Sequence, residues 1–445
     1  MIYRLLVLIF SIALAGWAQG TILIEHATLI DGSGGAPLHD AALVIDDGRI
    51  VRIGPSGQVE APTGATVIDA TGKTVIPGII NLHGHVGLTK GLTQAQTHYT
   101  RENAIANLRT YAAYGVTTTT SMGTDLDLIA GIRDEIDSGS LTGLARVLPA
   151  LQGFTFRAGY PTHVPGVKGL AQEVTSPADA RERVDKLAAK GASVVKMWVD
   201  DHHGRFAKLT PELYGAIIDQ AHKRGLVAAA HLYELEDAKG LVDAGLDAIV
   251  HSVRDYEVDA DLIRRLLAKN VVYSPTLTRE NSTFAYADGP EWLADPFFSN
   301  SIEADLMAAL KTTLRDNQKK DPERQINIDG FHMAMRNLKT LADAGVRIGF
   351  GTDTGPPGRF PGYFEHWEAE LMVEAGMTPM QVIQSFSKNA SEALRIDRDR
   401  GTLAEGKRAD LIILNKNPLG NIRNLREMES VFIGGVRVTP VKTTR

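Results

Sequence analysis

The chain has 445 residues, 44% hydrophobic and 22% charged, which suits one large globular domain with room for a smaller second one. Its net charge of −6 and the absence of any run of like charge exclude a basic nucleic-acid surface and a charged tail. With no cysteines, disulfides, thiolate metal ligands, a cysteine nucleophile and a lipidated cysteine are excluded together.

The first segment in chain order is MIYRLLVLIFSIALAGWAQG. Arg4 precedes an apolar run that starts at Leu5 and is shorter than the ~20 residues a membrane span needs. Gly16 and Ala18 then fit a small-x-small cleavage site. Residues 1–18 therefore read as a signal peptide, with a periplasmic or secreted destination and no membrane span in the mature chain. Short alternating strands follow in TILIEHATLIDGSGG, AALVIDDGRIVRIG and TVIDATGKTVIPG, with turns at Asp46-Asp47-Gly48 and from Asp31 to Gly35. The pattern returns at the other end in ADLIILNKNP and SVFIGGVRVTPV. Residues 19–76 and 396–445 are expected to form one composite β-sandwich domain, interrupted by a domain over 77–395.

The interrupting region alternates. Apolar runs near 116–120, 146–150, 193–197, 226–230, 247–250, 271–274 and 346–350 are separated by helical patterns. In TPELYGAIIDQAHKRG, Thr210 suits a cap and Pro211 the first turn. Leu213, Ile217, Ile218 and Ala221 share a face, and Gly225 stops the helix. With the strand that ends at His83, eight β/α units are counted. The fold class is α/β, a (β/α)8 TIM barrel. The longest insertion runs from about Arg279 to Met335, after the seventh strand, and is a candidate lid.

Six chemistry-bearing side chains lie near the ends of these strands. His83 and His85 are two apart, so on a strand both imidazoles share a face and can reach one metal at ~2.0–2.1 Å. Gly84 between them lets the backbone pass close by. His231 ends LVAAAH and His251 ends LDAIVH. Asp353, in the GTD turn after the eighth strand, suits a metal-ligating carboxylate that accepts a proton from water. Lys196 lies within a hydrophobic strand, where an ammonium is costly unless neutralised or paired. Neutral lysine and CO2 form a carbamate whose two oxygens can each bind a metal; the alternative is an ion-paired core lysine. His26, His39, His98, His222 and His332 read as structural or surface histidines.

The pieces LIDGSG, VIPGIINLHGH, YGVTTTTSMG, VVKMWVD, HLY, DAIVHS, GTDTG, KNASEALRI and GTLAEGKRADLIIL resemble the amidohydrolase superfamily, in its imidazolonepropionase-like and metal-dependent prolidase-like members. The resemblance covers nearly everything after the leader. It implies one divalent metal on His83, His85 and Asp353, a second on His231 and His251, and a bridging carbamylated Lys196. Zinc is the expected metal. The bridging lysine is absent from true imidazolonepropionases, so Lys196 argues against that activity. Asn81 stands where the family motif carries an aspartate. Tyr233, in His231-Leu232-Tyr233, is similar to a substrate-facing tyrosine of prolidase-like members. Arg254 is an expected anchor for a substrate carboxylate and His163 a further substrate contact. His202 and His203 read as loop histidines, and His366 and Glu368 as supports behind the site.

The expected function is hydrolysis of an amide C–N bond in a dipeptide or N-acyl amino acid, with Asp353 as general base and acid and Tyr233 assisting. The same centre would also serve an ester, lactone or cyclic amide. A mononuclear deaminase would need no Lys196. The expected partner is a small-molecule amide or peptide substrate, with no nucleic acid; a homo-oligomer is compatible with the sequence.

Overall fold

A computed structural model describes residues 20–442. The expected signal peptide lies outside the described residues. Among those residues no helix is long and apolar enough to cross a membrane.

Seven parallel strands follow the expected runs: Ile79–Gly84, Val116–Ser121, Arg146–Pro149, Val194–Val199, Val227–Leu232, Ala248–Val250 and Val272–Ser274. Their register is continuous where it matters for the site. Lys196 pairs with Ala229, Trp198 with His231, and His231 with Val250. The eighth segment is less regular. It bridges Tyr273 to Ile348, and Phe350 accepts a 2.7 Å hydrogen bond from the Leu82 amide, so it closes the circle between the seventh and first strands. Ser193 donates to the Pro149 carbonyl at 2.8 Å and joins the third strand to the fourth. The structure is a (β/α)8 barrel beside a β domain.

Helix Pro211–Lys223 shows how local chemistry sets these boundaries. Thr210 accepts from the Leu213 amide, Pro211 occupies the first turn, and Leu213, Ile217, Ile218 and Ala221 are buried.

Strands from both ends of the chain form one sheet. Thr74–Pro77 pairs antiparallel with Leu411–Leu414, with Val75 opposite Ile413. Alternation decides which core each side chain joins. Leu411 and Ile413 pack in the β domain with Leu43, Val75 and Phe432, whereas Ile412 and Leu414 face the barrel core. A buried ion pair, Arg146 Nη1 to Asp410 Oδ2 at 2.7 Å, ties the two domains together.

The insertion after the seventh strand contributes no side chain to the cavity above His83 and His85. It carries Tyr286, Phe297 and Phe298, all fully buried. Their rings, with Trp292, pack against Tyr363, Phe364 and Trp367 of helix Tyr363–Glu374. Aromatic burial of this size holds the segment against the barrel flank.

Candidate metal centre

His83 and His85 leave the first strand on the same side. The His83 amide donates to Asn81 Oδ1 at 2.9 Å. Asn81 Nδ2 in turn donates to Glu365 Oε1 at 2.7 Å and Thr352 Oγ1 at 3.0 Å. Asn81 thus joins the first strand to the turn that carries Asp353. Burial pushes the Glu365 carboxyl up to about 7. A Cβ at Gly84 would lie 2.6 Å from the Tyr111 hydroxyl, and one at Gly355 would lie 2.1 Å from the His85 carbonyl. Both glycines allow backbone approaches that close the barrel mouth around the histidines.

The six side chains come together. Asp353 Oδ1 lies 2.9 Å from His85 Nε2 and 3.5 Å from His83 Nε2. Lys196 Nζ lies 3.5 Å from the same His83 nitrogen. Ring centroids of His83 and His251 are 4.6 Å apart, and those of His231 and His251 are 4.4 Å apart. Ligand atoms of His83, His251 and Asp353 all lie within 4.8 Å of one another. Donors bound to one ion at ~2.1 Å are separated by up to ~4 Å, so small rotamer shifts suffice for a shared cation.

Electrostatics favour the donor forms. Burial holds His83 and His251 well below the ordinary imidazole range and brings His231 down to about 3. Neutral imidazoles keep the lone pair that a metal requires. Burial pulls the Lys196 amine down to about 7; the Asp353 charge opposes this and Arg279 reinforces it. A substantial neutral fraction at neutral pH is the form that reacts with CO2. For Asp353 burial works upward, but Arg359 and the two histidines hold the carboxyl well below its usual range. It is ionised and available. This donor set fits a divalent-metal centre, and with a carbamate on Lys196 it has enough oxygen and nitrogen donors for two ions.

Further contacts orient the imidazoles. Asp200 Oδ2 accepts from His231 Nε2 at 2.8 Å, which assigns the proton to Nε2 and leaves Nδ1 as the donor. His251 Nδ1 lies 2.7 Å from Thr276 Oγ1, and His85 Nδ1 lies 2.9 Å from Thr124 Oγ1. His251, Thr276 and Asp353 all have positive φ, at 82°, 51° and 55°. Strain of this kind, most costly at β-branched Thr276, persists where the surroundings over-determine a functional geometry.

The cluster lies at the base of a cavity of about 490 Å³. Tyr160, Val164 and Val167 from the loop after the third strand, Trp198, and Pro356, Pro357 and Arg359 from the turn after the eighth form much of its wall. None of the three expected substrate contacts lines this cavity. Arg254 lies in a smaller side chamber with its guanidinium already engaged, donating to Glu280 Oε1 at 2.5 Å and the Leu232 carbonyl at 2.6 Å. Tyr233 lies in the same chamber beneath the Arg254 guanidinium, 4.8 Å from its ring centroid. His163 is exposed and stacks on Phe206 at 4.1 Å, and its loop turns Tyr160 inward instead.

His202 and His203 also line the side chamber. The His366 ring donates Nε2–H to the Tyr114 carbonyl at 2.8 Å. Glu368 accepts from the Leu277 and Thr278 amides at 2.8 and 2.7 Å. Glu368 thus holds the segment that follows Thr276, whose hydroxyl contacts His251, whereas His366 is engaged with Tyr114 and Phe297. His222 pairs with Asp247 at 2.9 Å, away from the cluster.

Asp200, Tyr160, Thr276 and Arg359 were not singled out from the sequence. Asp200 had a readable signal. Lys196, Trp198 and Asp200 are spaced by two, so they share the face that looks into the mouth. Arg359 lies in an irregular turn and has no periodic signal.

Residues 74–438 match the amidohydrolase family. An imidazolonepropionase of Streptomyces avermitilis is 26% identical over 402 residues, covering 88% of this chain and 85% of its own. An ochratoxinase of Aspergillus niger is 25% identical over 461 residues, covering 94% and 86%. A crystal structure of a Xaa-Pro dipeptidase with bound methionine in the active site superposes with a TM-score of 0.75 at 24% identity. It covers 94% of this chain and 99% of that one, a likeness of fold.

Proposed function

The chain belongs to the amidohydrolase family and is a hydrolase acting on C–N bonds, and from that premise we propose a binuclear metallohydrolase that cleaves the amide bond of an N-acyl amino acid or dipeptide. One observation carries this reading: the buried amine of Lys196 lies 3.5 Å from His83 Nε2, inside the histidine–aspartate cluster. A mononuclear centre has no use for it.

In this reading His83, His85 and Asp353 would hold one divalent ion, and His231 and His251 the other. Zinc is the expected metal. Lys196, as a carbamate formed when Nζ bonds to the carbon of CO2 and releases one proton, would offer its two oxygens as further donors to the ions. Bound ions would supply Lewis acidity toward the scissile carbonyl and the attacking water. Asp353 takes the proton of that water and passes it to the leaving nitrogen. Tyr160 lines the cavity with its ring 5.3 Å from the His231 ring, and in this reading its hydroxyl would donate to the developing oxyanion. Asp200, Thr276 and Thr124 keep the imidazoles in ligating orientation. The inferred location is periplasmic or secreted.

The test joins metal analysis with a substrate screen. Zinc-loaded protein is expected to hold about two ions per chain and to hydrolyse dipeptides or N-acyl amino acids in preference to lactones. Lys196→Ala is expected to lose one ion and at least about a hundredfold in activity. A stoichiometry near one ion with unchanged activity in Lys196→Ala would point to mononuclear chemistry. Turnover of lactones alone would replace the amide by an ester.

A further inference from the structure

The wall of the main cavity says more about the substrate than the cluster does. Among the described residues no carboxylate lines it apart from Asp353, which faces the histidines. That leaves no unengaged carboxylate on this wall to pair with an α-ammonium. The one guanidinium that the described residues place on the wall is Arg359. Its Nη1 donates to Asp353 Oδ2, on the far side of the carboxylate from His83 and His85. That is the only hydrogen bond its side chain makes among the described residues, so most of its five N–H donors remain for a ligand. Arg254, by contrast, is engaged with Glu280 and a carbonyl. The remaining wall is largely apolar, with Leu92, Val164, Val167, Trp198, Pro356 and Pro357.

Resting on the amide-hydrolase reading, we propose that the substrate is an amino acid whose nitrogen carries a bulky apolar acyl group, and that Arg359 binds its α-carboxylate. The spacing supports an α-carboxylate over a side-chain one. The carboxylate carbon of an N-acyl amino acid lies three bonds from the scissile carbonyl carbon, about 3–4 Å away. Arg359 is separated from the histidine cluster by the width of one carboxylate group, that of Asp353. The apolar wall then takes the acyl group and excludes water from it. A free dipeptide would bring an ammonium into a cavity that has no counter-charge for it.

The experiment compares four substrates on the zinc-loaded protein and on Arg359→Gln. N-benzoyl-phenylalanine, its C-terminal carboxamide, N-acetyl-phenylalanine and the free dipeptide Phe-Phe are assayed for kcat/KM. The wild type is expected to prefer carboxylate to carboxamide by on the order of tenfold or more, and Arg359→Gln to bring that ratio close to one. Benzoyl is expected to exceed acetyl, and both to exceed the free dipeptide.

Calorimetry gives a second readout with 2-benzyl-4-phenylbutanoic acid and its carboxamide, in which two methylenes replace the scissile amide and no ammonium is introduced. The affinity ratio of this pair should fall in Arg359→Gln as the kinetic ratio does. A ratio unchanged by the substitution would overturn the role of Arg359, and equal turnover of the free dipeptide would overturn the acyl-group assignment. Failure to hydrolyse any amide would sink the amide-hydrolase reading instead, while the non-hydrolysable analogues would still report on Arg359.

Discussion

At the scale of single residues, charge pairing separates the groups that were legible from those that were not. Lys196 stood out because a lysine inside VVKMW is expensive wherever it lies, and burial does bring its amine down to about 7. Arg254 stood out for an equally good reason, yet its partner Glu280 lies 26 residues further along the chain and absorbs it. Sequence shows which charges need a partner but not which are already supplied. Asp200 is the intermediate case, since its even spacing of four from Lys196 marks its face while its acceptor role toward His231 needs the register of two strands. Asp200→Asn is expected to weaken metal binding by about 10–100-fold through loss of the anionic acceptor. Metal content after titration with a chelator measures this, and an unchanged apparent affinity would remove Asp200 from the support of His231.

At the scale of elements, helix Tyr363–Glu374 concentrates buried ionisable groups that periodicity alone would call a core face. Glu365, His366 and Glu368 are all buried. Glu368 receives the Leu277 and Thr278 amides and the Thr278 hydroxyl, and so fixes the start of helix Leu277–Asn281, which carries Arg279 and Glu280. Glu368→Ala leaves these donors buried and unpaired, at an expected cost of about 2–4 kcal/mol. Chemical denaturation measures it.

His366 gives that helix a pH dependence of known sign. Burial brings its imidazole down to about 3 in the folded chain, against about 6.5 unfolded. The unfolded chain binds the extra proton, so this contribution is intact above about pH 6.5 and is lost as pH falls toward 3. Over that window His366 accounts for on the order of 4 kcal/mol. His366→Gln should flatten the acid limb of a plot of Tm against pH, and an unaltered slope would show that other groups govern it. The eight repeating units were readable from apolar runs because seven of them are regular strands. The eighth was readable only as a run, since its pairing reduces to isolated bridges at Ile348 and Thr354. The packing of the insertion was not readable, because its aromatic partners lie on a helix that begins at Tyr363.

At the scale of the whole molecule, the two-domain plan was legible because β-patterned segments occupy both ends of the sequence. What the sequence did not show was how rigidly the two parts are joined. Arg146, at the start of the third barrel strand, is buried against Asp410, which also accepts from the Gly434 amide at 2.6 Å. Arg146→Ala strands the Asp410 charge in the junction and is expected to cost about 3–5 kcal/mol, with a lower Tm by calorimetry. The composite sheet has a temporal consequence as well. Strand Thr74–Pro77 has its antiparallel neighbour at Leu411–Leu414 and runs into the strand that presents His83 and His85. While the ribosome is still making the last tenth of the polypeptide, that edge has no mate, although all six clustered side chains have already been joined to the chain. Vectorial synthesis therefore cannot finish the catalytic mouth early. A stop codon after Asp410 would spare all six donors and still yield aggregating, inactive material.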